Sequence, residues 1–217
     1  MTYRPPRVNA QAIAHLILSP ILLRWVMVHL FRVRLHREGP MITEPAIYAG
    51  NHRSFLDPVL IGSFCNRHLS YFARAELWKI PIIGQTLGLL GGFPVDRDEP
   101  QLAVLQRTVQ HLRDGGSVLL FPEGTRTRSG RLAEVRDGIA VFARRSGIPV
   151  VPVYVIGTET VWPRGRPLPI PGGRAGLVIG RPLRAPAELR GREADRWLME
   201  RLRAWLAAQE RRFLGPA

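Results

Sequence analysis

Beyond Gly39-Pro40 the chain alternates short apolar runs of strand length with stretches of helical period, and no other feature narrows its fold as much. Residues 46–49, 69–73, 93–95, 117–121, 150–156 and 177–179 read as strands. Residues 55–64, 81–90, 101–113, 138–145 and 193–213 read as helices. The third of these shows the period clearly, with Leu102, Leu105, Val109 and Leu112, and stops at Asp114-Gly115-Gly116. The last carries Trp197, Leu198, Leu202, Trp205 and Leu206 on one side and arginines on the other. Such alternation predicts an α/β fold: a single domain with a mostly parallel or mixed sheet flanked by helices. Pro152 inside the run 150–156 predicts an edge strand or a kink. Residues 162–173, rich in Pro, Gly and Arg, predict a loop.

The segment before this pattern is different. An apolar stretch from 12 to 31 follows Arg4 and Arg7, but His15, Ser19, Pro20, Arg24 and His29 interrupt it. A spanning helix needs about 20 predominantly apolar residues. A secretory signal needs a small-residue cleavage site that is not evident here. Pro20 splits the stretch, so the expectation is an N-terminal helical hairpin lying in the membrane interface, with Trp25 and the arginines at headgroup level. The chain thus divides into an N-terminal membrane-association segment (1–34), the α/β domain (35–185) and a C-terminal amphipathic helix packed on the domain (186–217).

Charge points to an anionic partner. The net charge is +14, and Lys79 is the one lysine among 31 basic residues. Arginines fork onto phosphate, so the field suits anionic lipid headgroups, phosphorylated substrates or nucleic acid. Cys65 is the only cysteine, which excludes an internal disulfide and a thiolate metal site. Its place in a helical stretch suggests a buried structural thiol.

Two segments carry chemistry. In Asn51-His52-Arg53-Ser54-Phe55-Leu56-Asp57-Pro58, a strand ends and a helix begins, so the turn can fold the Asp57 carboxylate onto the His52 imidazole. Imidazole takes a proton near working pH, and a carboxylate on one ring nitrogen fixes the tautomer. The same spacing also fits a helix cap, with Ser54 as N-cap, Asp57 as an acid in the first turn and His52 as a loop histidine. In Phe121-Pro122-Glu123-Gly124-Thr125-Arg126-Thr127-Arg128, a strand runs into a glycine turn. Arg126 and Arg128 offer phosphate forks, Thr125 and Thr127 offer hydroxyl and amide donors, and Glu123 either bonds acceptor hydroxyls or holds Arg126. A surface loop with an Arg–Glu pair is the alternative. A third segment, Gly91 to Asp98, presents Arg97 as an anion ligand or a surface ion pair.

In order along the chain, Asn51-His52-x4-Asp57, Arg74-Ala-Glu-Leu with Pro81-x-x-Gly84 and Gly92-Phe-Pro-Val-Asp-Arg97, Phe121-Pro-Glu-Gly-Thr-Arg126, and Val151-Pro-Val153 resemble the four sequence blocks of the glycerolipid acyltransferases. The resemblance covers roughly residues 35 to 160. It implies acyl transfer from acyl-CoA or acyl carrier protein to a lysophospholipid hydroxyl, foremost the sn-2 position of 1-acyl-glycerol-3-phosphate, without a cofactor or metal. It implies catalytic roles for His52 and Asp57, and acceptor binding by Arg97, Glu123, Gly124, Thr125 and Arg126. It also implies residence on a lipid membrane surface, peripheral or monotopic, at the cytoplasmic face of the cell membrane. The family often shows Phe-Lys-x-Gly after the third block; here the sequence is Val135-Arg136-Asp137-Gly138, which keeps the base and the glycine but not the aromatic.

The expected step is direct. His52 deprotonates the acceptor hydroxyl, amide N–H groups near Ser54 stabilise the oxyanion, and His52 returns the proton to the leaving thiolate. Other acceptors, such as glycerol 3-phosphate or other lyso-lipids, fit the same chemistry. A nucleic-acid binder fits the charge but lacks a recognisable motif. A catalytically silent lipid-binding module would be expected to have lost the His–Asp pair.

Overall fold

Apolar runs of β-branched residues bury both faces only when helices cover both sides of a sheet. The computed structural model, which describes residues 21–65, 67–79, 91–96, 99–127, 129–166 and 168–215, has that arrangement. Seven strands form one sheet in the order β1-β7-β6-β2-β5-β3-β4. They are β1 (Arg34–Arg37), β2 (Ile47–Gly50), β3 (Leu69–Arg74), β4 (Gly92–Val95), β5 (Ser117–Leu120), β6 (Val150–Ile156) and β7 (Gly176–Ile179). All neighbouring pairs are parallel except β6 with β7. The sheet is therefore mixed, as expected for this α/β class.

Alternate residues of the strands feed two cores. On one face Tyr48, Leu119, Val151, Val153 and Leu177 pack with Met27 and Phe31 and with Leu60, Ile61 and Phe64. The last three belong to α2 (Asp57–Phe64), while Met27 belongs to α1, a helix over 21–30. On the other face Ile47, Val118, Val150, Tyr154 and Val178 meet three helices. These are α3 (Gln101–Arg113), α4 (Gly138–Ser146) and the C-terminal α6 (Gly191–Leu214). A short α5 (Thr158–Val161) follows β6. The Leu198, Leu202 and Leu206 stripe of α6 is buried against the sheet, which is the common fate of an amphipathic face.

Several expectations change. The N-terminal segment is described as the single helix α1; the first arm of the expected hairpin lies outside the described residues, as does the helix expected over 81–90. Strand β1 was not legible, because Arg34-Leu35-His36-Arg37 is largely solvated and its strand character comes from pairing with β7. Pro152 lies in an interior strand, between β2 and β7, and not at an edge. Its missing N–H falls between the Val150–Leu183 bridge and the β7 ladder, and its carbonyl still accepts from Gly180 N–H at 2.8 Å. A proline is tolerated there because no ladder donor is required at that position.

Candidate active site

β2 ends at Gly50, where a Cβ would sit 2.6 Å from Val153 Cγ2 and 2.9 Å from the Val153 carbonyl oxygen. The strands approach too closely for any side chain at that position. Asn51 then prolongs the β2–β6 ladder with its side chain: its amide donates to Val155 O at 2.9 Å and its oxygen accepts Val155 N–H at 2.7 Å. These bonds fix the point from which His52 departs.

The His52 ring donates through Nδ1 to Asp57 Oδ2 at 2.8 Å, and Asp57 is fully buried as the first residue of α2. The same oxygen accepts the N–H groups of Arg53 at 2.6 Å and Ser54 at 2.8 Å. The turn is therefore wrapped around one carboxylate. Two expectations are corrected by it. The Asp57 carboxylate holds the amides of residues 53 and 54, which takes those two out of the oxyanion donors expected near Ser54. Ser54 is also not the N-cap; Leu56 holds that place, and Ser54 Oγ donates to Trp162 O at 2.9 Å. The serine hydroxyl still accepts Leu56 N–H at 3.2 Å, a local turn contact ahead of the helix.

The loop after β5 closes over His52. Phe121 stacks on the imidazole with centroids 3.9 Å apart and planes 13° apart. Thr127 N–H donates to His52 O at 2.8 Å. Glu123 Oε1 accepts His52 N–H at 2.7 Å, and its Oε2 accepts Ala133 N–H at 2.9 Å. Glu123 is only 4% exposed. Burial pushes its carboxyl up, while the amides of Ala133 and His52 pull it back. Each Glu123 oxygen accepts a backbone amide, so the side chain ties the His52 turn to the loop.

Gly124 has φ +69°, the left-handed turn anticipated from its type, and Thr125 is exposed beside it. The Arg126 guanidinium lies 3.6 Å over the Phe55 ring, and its Nη1 is buried without a hydrogen-bond partner. Burial and the nearby charge of Arg164 lower its pKa, and the field of Asp57 raises it. Arg97 and Arg128 lie outside the described residues. Arg53 points into the fold, 4% exposed, bonding Glu159 Oε1 at 2.8 Å and the Tyr154 hydroxyl at 3.0 Å.

His52, Asp57, Glu123 and Arg126 thus gather at the carboxyl ends of adjacent parallel strands, where open α/β sheets place their ligands. A histidine with one nitrogen on a buried carboxylate and a free arginine donor beside it is equipped to deprotonate an anionic alcohol.

The acyltransferase family profile matches residues 32–156. The chain belongs to the acyltransferase family. A chloroplastic 1-acyl-sn-glycerol-3-phosphate acyltransferase of Arabidopsis thaliana is 34% identical over 146 residues, covering 66% of this chain and 41% of that protein. A 1-acyl-sn-glycerol-3-phosphate acyltransferase of Pseudomonas aeruginosa is 31% identical over 167 residues, covering 76% of this chain and 63% of that one. The chain spans about two fifths of the length of the chloroplast relatives from Arabidopsis thaliana and Brassica napus. The crystal structure of the 1-acyl-sn-glycerophosphate acyltransferase from Thermotoga maritima superposes with a TM-score of 0.68 at 24% identity, covering 94% of this chain and 84% of that one. That likeness shows a shared fold.

Within this member of the family, Cys65 is buried and its thiol is pushed up to about 12, chiefly by burial. It is a structural thiol and not a nucleophile. Four residues that shape the site had no assigned role from sequence: Asn51, Phe121, Arg53 and Trp162. The first three sit inside or beside the family blocks, so position in a motif was their signal. Trp162 had none, since its tie to Ser54 spans the residues between β2 and the far side of β6.

Proposed function

We propose that this acyltransferase moves a fatty acyl group from acyl-CoA or acyl carrier protein to the sn-2 hydroxyl of 1-acyl-glycerol-3-phosphate, forming phosphatidate for phospholipid synthesis. The observation that carries the reading is the 2.8 Å contact between His52 Nδ1 and buried Asp57. With Nδ1 committed as a donor, Nε2 is the nitrogen that takes the acceptor's hydroxyl proton. The oxygen then attacks the thioester carbonyl, the C–S bond breaks, and Nε2–H protonates the departing thiolate. An ester and a free thiol result, with no acyl-enzyme.

Arg126, with an unpartnered Nη1, supplies charge for the acceptor's phosphate, and Arg97 is assigned the same role. Thr125 and the Gly124 turn shape that side of the pocket. Residues 35–185 form the acyltransferase unit, 1–34 the membrane-association segment and 186–217 the packed C-terminal helix. Among the described residues, no helix is long and apolar enough to cross a membrane. Helix α1 instead exposes Ile21, Leu22 and Trp25 to solvent. A lipid surface at the cytoplasmic face of the cell membrane, where the acyl donors are presented, suits that apolar face.

Removing a general base costs roughly a hundred- to ten-thousand-fold in rate. Purified His52→Ala protein should therefore lose transfer of radiolabelled acyl groups to that extent while keeping its circular-dichroism spectrum. Near-normal turnover refutes the assignment. A panel of lyso-acceptors run alongside tests the substrate: exclusive use of a phosphate-free acceptor overturns the lysophosphatidate choice.

A further inference from the structure

The loop after α5 has no part in the chemistry above, yet it is fastened to the catalytic turn. Ser54 Oγ holds Trp162 O at 2.9 Å, and the Trp162 ring lies 5.9 Å from that of Phe55. Phe55 is also the ring on which the Arg126 guanidinium rests, at 3.6 Å. Trp162 Nε1 donates back to Arg166 O at 3.0 Å, which closes residues 163–165 into a turn. Arg164, at the centre of that turn, lines a cleft of about 780 Å³ together with Arg53, Thr127, Ser129 and Glu159.

Arg126 does not line this cleft, but its neighbour Thr127 does, and the Phe55 ring under Arg126 faces Trp162 at the root of the Arg164 turn. Arg53 and Glu159 pair at 2.8 Å and cancel. Among the described residues, no carboxylate lies within ion-pair distance of Arg126 or Arg164. Their mutual repulsion is felt at Arg126, whose Nη1 also lacks a hydrogen-bond partner despite its burial. Arg164 adds positive potential at Arg126, and Asp57 offsets part of it. An anion placed between them reverses the sign of that interaction and receives forked donors from both sides.

We propose that Arg164 is the second arm of a phosphate clamp whose first arm is Arg126. The inference rests on the acceptor reading given above and adds to it a residue outside the four blocks. The ligand is a phosphate ester carried by a substrate, either the glycerol-phosphate end of the acceptor or the phosphates of acyl-CoA.

The test uses the full chain and its Arg164→Ala and Arg164→Lys variants. Glycerol 3-phosphate binding is measured by titration calorimetry, and KM is measured separately for lysophosphatidate and for acyl-CoA. Arg164→Ala should weaken glycerol 3-phosphate binding and raise the acceptor KM by roughly three- to tenfold, with Arg164→Lys between it and the wild type. A rise confined to the acyl-CoA KM upholds the clamp and assigns it to the donor. Unchanged glycerol 3-phosphate binding together with two unchanged KM values overturns the clamp, and leaves wild-type transfer to lysophosphatidate standing. If the wild type transfers nothing to lysophosphatidate but Arg164→Ala still loses glycerol 3-phosphate binding, the acceptor reading falls and the clamp survives.

Discussion

Glu123 joins two stretches of backbone through one side chain. Its two oxygens join the backbone of His52 to that of Ala133, while Thr127 N–H takes the His52 carbonyl. The imidazole is thereby gripped through its own peptide groups, by Phe121 on its face and by Asp57 on its edge. Preorganisation of this kind matters because a misplacement of about 1 Å can cost roughly a hundredfold in rate. Glu123→Gln keeps the shape but replaces one acceptor by a donor facing an amide. Its kcat should fall by about ten- to a hundredfold with the KM for lysophosphatidate little changed. An acceptor ligand would give the opposite pattern, a raised KM with kcat retained, and steady-state kinetics on the purified variant separates the two.

At the scale of elements, the margin of the sheet opposite the site has its own pH sensitivity. His68 directly precedes β3, and His111 lies in the last turn of α3, its ring edge-on to Phe93 of β4 at 5.1 Å. Burial lowers both imidazoles; His111's charge lowers His68 further, while the Ser117 backbone and Asp114 oppose the shift at His111. His111 Nε2 is buried without a partner. The folded chain thus favours neutral rings, and the unfolded chain binds more protons once pH falls below the ordinary imidazole value of about 6.5. The stabilisation is complete above that value and is lost as pH drops through the lowered folded values. Urea midpoints should fall between pH 7.5 and 5, and His111→Gln should flatten the slope. An unaltered slope in that variant would place the sensitivity elsewhere. Pro152 belongs to the same scale: its cost as an interior residue disappears because its two neighbours along the β7 side, Leu183 and Gly180, already complete the ladder around it.

For the whole molecule, the proposed attachment to lipid draws on both the net charge of +14 and the exposed Ile21, Leu22 and Trp25. Replacing those three residues by Ser should reduce sedimentation with anionic vesicles by at least about tenfold, since each buried apolar side chain contributes roughly 1.5–3 kcal/mol. Raising salt should weaken wild-type binding by screening the arginines, and binding that ignores both changes would show that α1 is not the anchor. The sequence by itself determined the α/β class and the strands with β-branched runs, because periodicity is a local property of a chain; the spacing of His52 and Asp57 left a pair and a helix cap both open, and the family resemblance favoured the pair. The sequence left β1 unseen, gave Pro152 an edge or a kink and offered Ser54 as a cap. Tertiary structure decided each of these, since a solvated strand exists only through its neighbour's hydrogen bonds. The partner of a carboxylate or an amide is likewise chosen by whatever the folded chain brings within 3 Å, such as Ala133 for Glu123 and Trp162 for Ser54.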